Sequence, residues 1–338
     1  MTDSPLSRRH FLRSGVAAGT LLLAGCGTDS DTDGTETVTG TTVAGETTTT
    51  TAGTATPTTR PTAAIGEVVG DDSLSMVLLG ASQRQSVAGR TADDGNTMVV
   101  AFFEMKNGAT ERFLSMQDFG AFHLADGGDD YRRVVVSEEP GNQFRNGLLA
   151  PGEVVQGYLA FETPATLTEP AVEVDIDSDH TSLERATFRL DQSADSVARL
   201  EQTLHVPAAD IGESVTEGSL TVTVTDFRTT DAVDGIRSGE ETTFAIPTVR
   251  LENDADEGQM VFLRGQALLK SDTGEVYATS TETQPALDEA LRWNMEVQTN
   301  GRVEGEVPYN AGADTSPLYF VFDFSGINDG SRYVWQVA

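Results

Sequence analysis

Alternating carboxylates, a late cluster of aromatics and one thiol are the groups in this sequence with chemistry to offer. In "DIDSDH", residues 175–180, Asp175, Asp177 and Asp179 recur at every second position. Such oxygens suit a hard cation, but calcium needs several of them converging at about 2.3–2.6 Å. The glycine and closing glutamate of a calcium-binding loop are missing. On a strand, the same alternation turns Val172, Val174 and Ile176 inward and leaves Glu173, Asp175 and Asp177 in solvent. The other acidic run, "DGGDD" at 126–130, lies between two strand-like segments and reads as a hairpin turn. The sequence has no Gly-x-Ser-x-Gly elbow, phosphate loop or His-Glu-x-x-His pair. His123, His180 and His205 are too scattered for a metal cluster. No cofactor is expected, and the metal candidates remain Asp175, Asp177 and Asp179. Phe320, Phe322 and Phe324 share one strand face and read as core. The expected exposed aromatic platform is therefore Tyr319, with the face carrying Tyr333 or Trp335, facing a sugar or a protein.

Cys26 is the only cysteine, so the folded part can contain neither a disulfide nor a thiolate metal site. "SRRHFLR", residues 7–13, precedes a weakly apolar run, Gly15 to Ala24. That run is too short to span a hydrocarbon core of about 30 Å. Ser7, Arg8, Arg9, Phe11 and Leu12 resemble the twin-arginine (Tat) export signal. "LAGC", residues 23–26, resembles a lipobox, which implies that Cys26 is lipidated. Residues 1–25 are thus expected to be a signal peptide. The mature chain is expected on the outer face of the cytoplasmic membrane, held by a lipid anchor.

Acidic residues number 53 against 22 Lys and Arg, giving a net charge of −31, and Lys106 and Lys270 are the only lysines. Self-repulsion of this size is relieved by salt, whose screening length is about 3 Å at 1 M. The lysine-poor acidic composition resembles that of halophilic archaeal proteins. Nucleic acid is not an expected partner, because phosphate binding needs clusters of Lys and Arg.

Elements able to hold such groups begin only after a long polar segment. Residues 26–64 are rich in threonine and without apolar periodicity, and are predicted to be a disordered stalk, with O-glycans as one option. Beyond it the chain repeats. "IGEVVGDDSL" (65–74) returns as "IGESVTEGSL" (211–220), an offset of 146 that also relates Asn107 to Asn253, Gly128 to Gly274 and Tyr131 to Tyr277. "GYLAFETP" (157–164) is matched to "GRVEGEVP" (301–308) at an offset of 144. Both copies are made of short β-branched and aromatic runs separated by Gly, Asp and Asn. The expected architecture is all-β, two tandem immunoglobulin-like antiparallel β-sandwich domains at 65–191 and 211–338, joined by residues 192–210. A small open barrel is the alternative.

The opening Ser-Leu-x-Val strand, the second strand ending in Asn, the Asp-x-Gly-x-x-Tyr hairpin and "LLAPGEVVQGYLAFETP" (148–164) resemble a family of exported telokin-like (immunoglobulin-like) domains common on lipoproteins. The resemblance implies structure rather than catalysis, and the second copy lacks the Pro-Gly-Glu turn. Two functions follow as expectations. One is a non-catalytic cell-surface lipoprotein whose modules bind a protein or glycan partner. The other is a solute- or metal-binding accessory protein of an exported enzyme, transporter or cell-wall system.

Overall fold

Two twelve-residue stretches, Asn96–Asn107 and Thr242–Asn253, form the central strands of two modules. The first reads TMVVAFFEM, apolar on both faces, and is buried on both. The computed structural model describes residues 60–115, 119–136, 148–176, 179, 181–325 and 331–338. Arg8, Arg9, Cys26, Asp177, His180 and the threonine-rich segment up to residue 59 lie outside the described residues.

The first module contains β1 (Thr62–Ile65), β2 (Val68–Gly70), β3 (Leu74–Arg84), β4 (Ser86–Val87), β5 (Arg90–Thr91), β6 (Asn96–Asn107), β7 (Leu114–Ser115), β8 (Phe119–Asp126), β9 (Asp129–Val134), β10 (Leu148–Leu149), β11 (Val154–Pro164), β12 (Ala171–Ile176) and β13 (Arg185–Ser193). One layer runs β1-β13-β12-β8-β9 and the other β9-β11-β6-β3-β2, with β9 shared between them. Phe103, Phe161 and Phe188 fill the space between, Phe103 meeting Phe188 edge-on at 5.2 Å. The expected stalk is corrected at its end. Thr62–Ile65 is a strand parallel to β13, and Ala63 is buried in the core.

The second module contains β14 (Ala208–Ala209), β15 (Ser214–Glu217), β16 (Leu220–Thr230), β17 (Ala232–Val233), β18 (Ile236–Arg237), β19 (Thr242–Asn253), β20 (Gln259–Phe262), β21 (Ala267–Ser271), β22 (Val276–Tyr277), β23 (Asn294–Val297), β24 (Gly301–Glu306), β25 (Tyr309–Gly312), β26 (Leu318–Asp323) and β27 (Arg332–Gln336). Its layers are β14-β27-β26-β21-β22 and β15-β16-β19-β24, with β25 also on β19. Apart from a four-residue helical turn at Leu263–Gln266 and a short 3₁₀ turn at Gln284–Ala286, the described secondary structure is all strand. The fold is therefore two tandem antiparallel β-sandwiches.

The repeat is legible in hydrogen bonds. Asn107 donates to the carbonyls of Arg112 and Leu149 and accepts from the Ala109 amide. Asn253 does the same with Glu257, Val297 and Ala255. A buried amide that ties three segments explains why each central strand ends in Asn. "DGGDD" forms the expected hairpin, with Asp126 opposite Asp129 and positive φ at Gly127 and Gly128. The 144 offset is corrected. Gly157 pairs with Phe103 on β6, and Gly305 pairs with Val249 on β19. Gly157 therefore corresponds to Gly305, an offset of 148, and not to Gly301. The two glycines are alike in sequence because Gly301 and Gly305 each begin Gly-x-Val, and only cross-strand pairing distinguishes them.

Two carboxylates make the fold sensitive to acid. Burial works to raise the Asp71 pKa, but hydrogen bonds from Thr181, Ser182 and Ser73 outweigh it and hold the group at about 2. Arg250, Arg302 and Thr225 bring Glu304 to about 2. Both folded values lie below the ordinary 3.8 and 4.5, so the stabilisation is present above those values and is lost as pH falls toward 2. Asp71→Asn should lower the melting temperature at pH 6, with a loss of about 1 kcal/mol of stability, small because the carboxylate is partly exposed. The gap from the parent protein should close by pH 2. A gap constant across thermal melts from pH 6 to 2 would contradict this account.

Candidate functional site

The turn Pro151-Gly152-Glu153 joins β10 to β11 and is where the second module meets the first. Glu153 is fully buried. It accepts from Lys270 Nζ at 2.7 Å and from Arg332 at 2.8 Å, both from the second module, and from the Ala150 amide at the base of its own turn. Burial pushes the carboxyl up, but the two cations overcome it and hold the group below its usual range. Burial also lowers Lys270 to about 8 against the pull of Glu153, which leaves it charged at neutral pH. Lys270 further donates to the Val154 carbonyl, and Gln156 to the Thr273 carbonyl. Around β10, the Leu148 amide donates to Asp323 and the Leu148 carbonyl accepts from Arg332.

The joining segment is part of this contact. The Thr203 and His205 amides donate to the Gly152 and Pro151 carbonyls. Buried Glu104 accepts from Arg199, the Leu200 amide and Gln156. Gly152 has φ of +76°, and a Cβ there would collide with the Thr203 backbone. Hence the glycine of Pro-Gly-Glu admits the joining chain and the glutamate receives the next module. The corresponding turn of the second module is Thr299-Asn300-Gly301. Asn300 takes the positive φ, at +49°, and Gly301 stands where Glu153 would be. The missing motif is therefore a missing junction, and the turn itself survives.

The structure redistributes the residues expected to act. Asp175 is held by Arg185 at 2.7 Å, and Asp179 is exposed. Among the described residues no group of three His, Cys, Asp or Glu is placed to hold a metal ion. Trp335 is fully buried, lies tilted against Phe320 with ring centres 6.0 Å apart and donates to the Glu213 carbonyl, so it is core and no platform. Tyr333 lies on the same strand face at the core margin, with its hydroxyl on Glu217. Tyr319 is half-buried on the opposite face of β26, the face that carries Asp323 to the junction. The three residues form no common surface.

Val68, Val135, Val197 and Ile211 are exposed singly, whereas two exposed apolar side chains share one strand on the two-stranded ribbon of β20 and β23. Met260 is 44% exposed and Phe262 51%, while Val261 between them is buried. Arg264 lies 5.2 Å from the ring centre of half-buried Trp293, which adjoins β23. The signal in the sequence is the run "QMVFL". Its four consecutive apolar residues, Met260 to Leu263, do not say which alternate set faces out. A separate acidic cleft of about 690 Å³ lies between the segments 228–234 and 286–289, lined by Arg228, Asp234, Thr248, Asp288, Glu289 and Glu306. Arg228 is paired with Glu306 at 2.8 Å, so the remaining lining is negative.

The sequence profile of a domain of unknown function (DUF4352) matches residues 63–182 and again 209–331. No curated protein matches the chain. Among solved structures, an uncharacterized β-sandwich protein from Clostridium difficile is 9% identical, with a TM-score of 0.28, and covers 39% of this chain and 95% of its own. The yjhA protein of Bacillus subtilis is 14% identical, TM-score 0.30, over 38% of this chain and 99% of its own. The ycdA protein of Bacillus subtilis is 10% identical, TM-score 0.32, over 54% and 72%.

Proposed function

Since the chain belongs to the DUF4352 family through both of its modules, and that family's function is unknown, we propose a role from its own surface and leader. It is a non-catalytic binding protein, exported by its twin-arginine signal and anchored through Cys26 at the cell surface. The β20–β23 ribbon of its second module captures a protein partner. The observation that carries this reading is the exposure of Met260 and Phe262 on one strand of a narrow ribbon. Large apolar side chains gathered on one exposed strand favour protein contact, and aromatic anchors dominate such interfaces. The buried Glu153–Lys270–Arg332 junction supports it, because it ties the second module, which carries the ribbon, to the first. A second reading, a solute- or cation-binding accessory protein, is favoured by the acidic cleft.

Pull-downs from native membranes in molar KCl test the proposal. The tagged chain should retain a partner that Phe262→Ser loses, and Cys26→Ser should move the protein from membrane to medium. Equal capture by Phe262→Ser would refute the ribbon. Membrane retention of Cys26→Ser would refute the anchor.

A further inference from the structure

The repeat gives both modules the same two ends, and the junction shows how an upper end fits a lower one. On the first module, β10 pairs Leu149 with Leu114 and Leu148 with Ser115. Leu148 turns its amide and carbonyl outward, where Asp323 and Arg332 of the second module meet them. Asp323 and Arg332 are cross-strand partners on β26 and β27. Their side chains are 7% and 5% exposed.

Each half of this contact has an exposed counterpart. Asp175 and Arg185 are cross-strand partners at the same place on β12 and β13, with their own ion pair at 2.7 Å and side chains 41% and 43% exposed. The Asn107 and Asn253 amides fix the other equivalence. They bond Leu149 and Val297, so the residues just before these, Leu148 and Glu296, correspond. The Leu263 amide donates to the Trp293 carbonyl, which sets the hydrogen-bonding alternation of the ribbon. Glu296, opposite Met260, thereby turns its amide and carbonyl to the open edge of β23, as Leu148 does on β10.

We propose that the β20–β23 ribbon binds a second copy of this chain, whose Asp175–Arg185 pair caps the β23 edge at Glu296 as Asp323–Arg332 caps β10 at Leu148. This rests on the ribbon being the binding surface and names its occupant. The geometry continues an interface already present within the chain. Arg185 meets an edge that bears the Glu296 carboxylate, and Met260 and Phe262 supply the apolar area. Because Gly301 replaces Glu153 and Ala125, not a lysine, neighbours the Asp126 hairpin, the buried ion cluster is not reproduced. The contact is consequently weak and reversible, and like-charged copies associate better as salt rises. It is heterologous, joining different surfaces, so growth is head-to-tail and does not stop at two chains.

Sedimentation velocity of the full chain, carrying Cys26→Ser to keep lipid out, tests this across a concentration series in molar KCl. The mean mass should climb past two chains. Arg185→Glu and Phe262→Ser should each raise the dissociation constant about tenfold or more. Mixing these two variants should restore a one-to-one dimer and nothing larger, because only one intact pair of ends remains. A chain that stays monomeric, or wild type that closes as a dimer, overturns the proposal. If the chain is monomeric while partner capture still depends on Phe262, the ribbon keeps its role and only the second copy is refuted.

Discussion

Glu153→Ala should split the thermal unfolding of this protein from one calorimetric transition into two. Glu153 serves two cations that are themselves buried, Lys270 at 1% exposure and Arg332 at 4%. Removing the carboxylate leaves Lys270 with the Val154 carbonyl but no carboxylate, and Arg332 with Asp323 at 3.8 Å and the Leu148 carbonyl. Breaking a buried pair by deleting one partner costs about 3–5 kcal/mol. The loss falls on the contact between modules, since each module keeps its own core. The lower of the two transitions should therefore lie well below the parent midpoint. Lys270→Ala is the informative control. It leaves Glu153 still paired with Arg332, so it should cost less than Glu153→Ala. Equal costs, or a single unshifted transition in Glu153→Ala, would show that the cluster does not couple the modules.

Trp335→Ala should be the most damaging core substitution in the second module, at about 3–5 kcal/mol. The ring is fully buried beside Phe320, and its N–H is bonded to the Glu213 carbonyl. Alanine would leave a cavity and an unpaired acceptor. Trp335→Phe keeps most of the volume and should lose far less. Phe188 holds the corresponding place in the first module. It pairs with Val172 and with Ala63, as Trp335 pairs with Phe320 and Ala209. Denaturant melts of both alanine variants give the comparison. A Trp335→Ala protein as stable as its parent would restore Trp335 to the surface role that its sequence neighbourhood suggested.

Asn107 and Asn253, the Asp126–Asp129 hairpin and the strict alternation of Leu220, Val222 and Val224 were legible because each depends on local backbone geometry and a period of two. The duplication was legible because the two copies keep the same local rules at a fixed spacing. The 148 offset was not, since the two added residues enter between β9 and β10, where chain length leaves no local trace. Aromatic residues on β27 were ambiguous for a related reason. In "YVWQV" the alternation is clear, but which set faces the core depends on the strands that cover it.

The sequence by itself determined two all-β modules, an acidic surface, and the pattern of signal and single cysteine that makes export the reading to test. Tertiary structure alone decided that Pro-Gly-Glu is a junction, because Glu153, Lys270 and Arg332 lie far apart along the chain and become partners only when one module is laid against the other. It likewise decided that Trp335 is interior and that Met260 and Phe262 are exterior. Hydrophobicity is a property of a residue, whereas burial is a property of what folds over it.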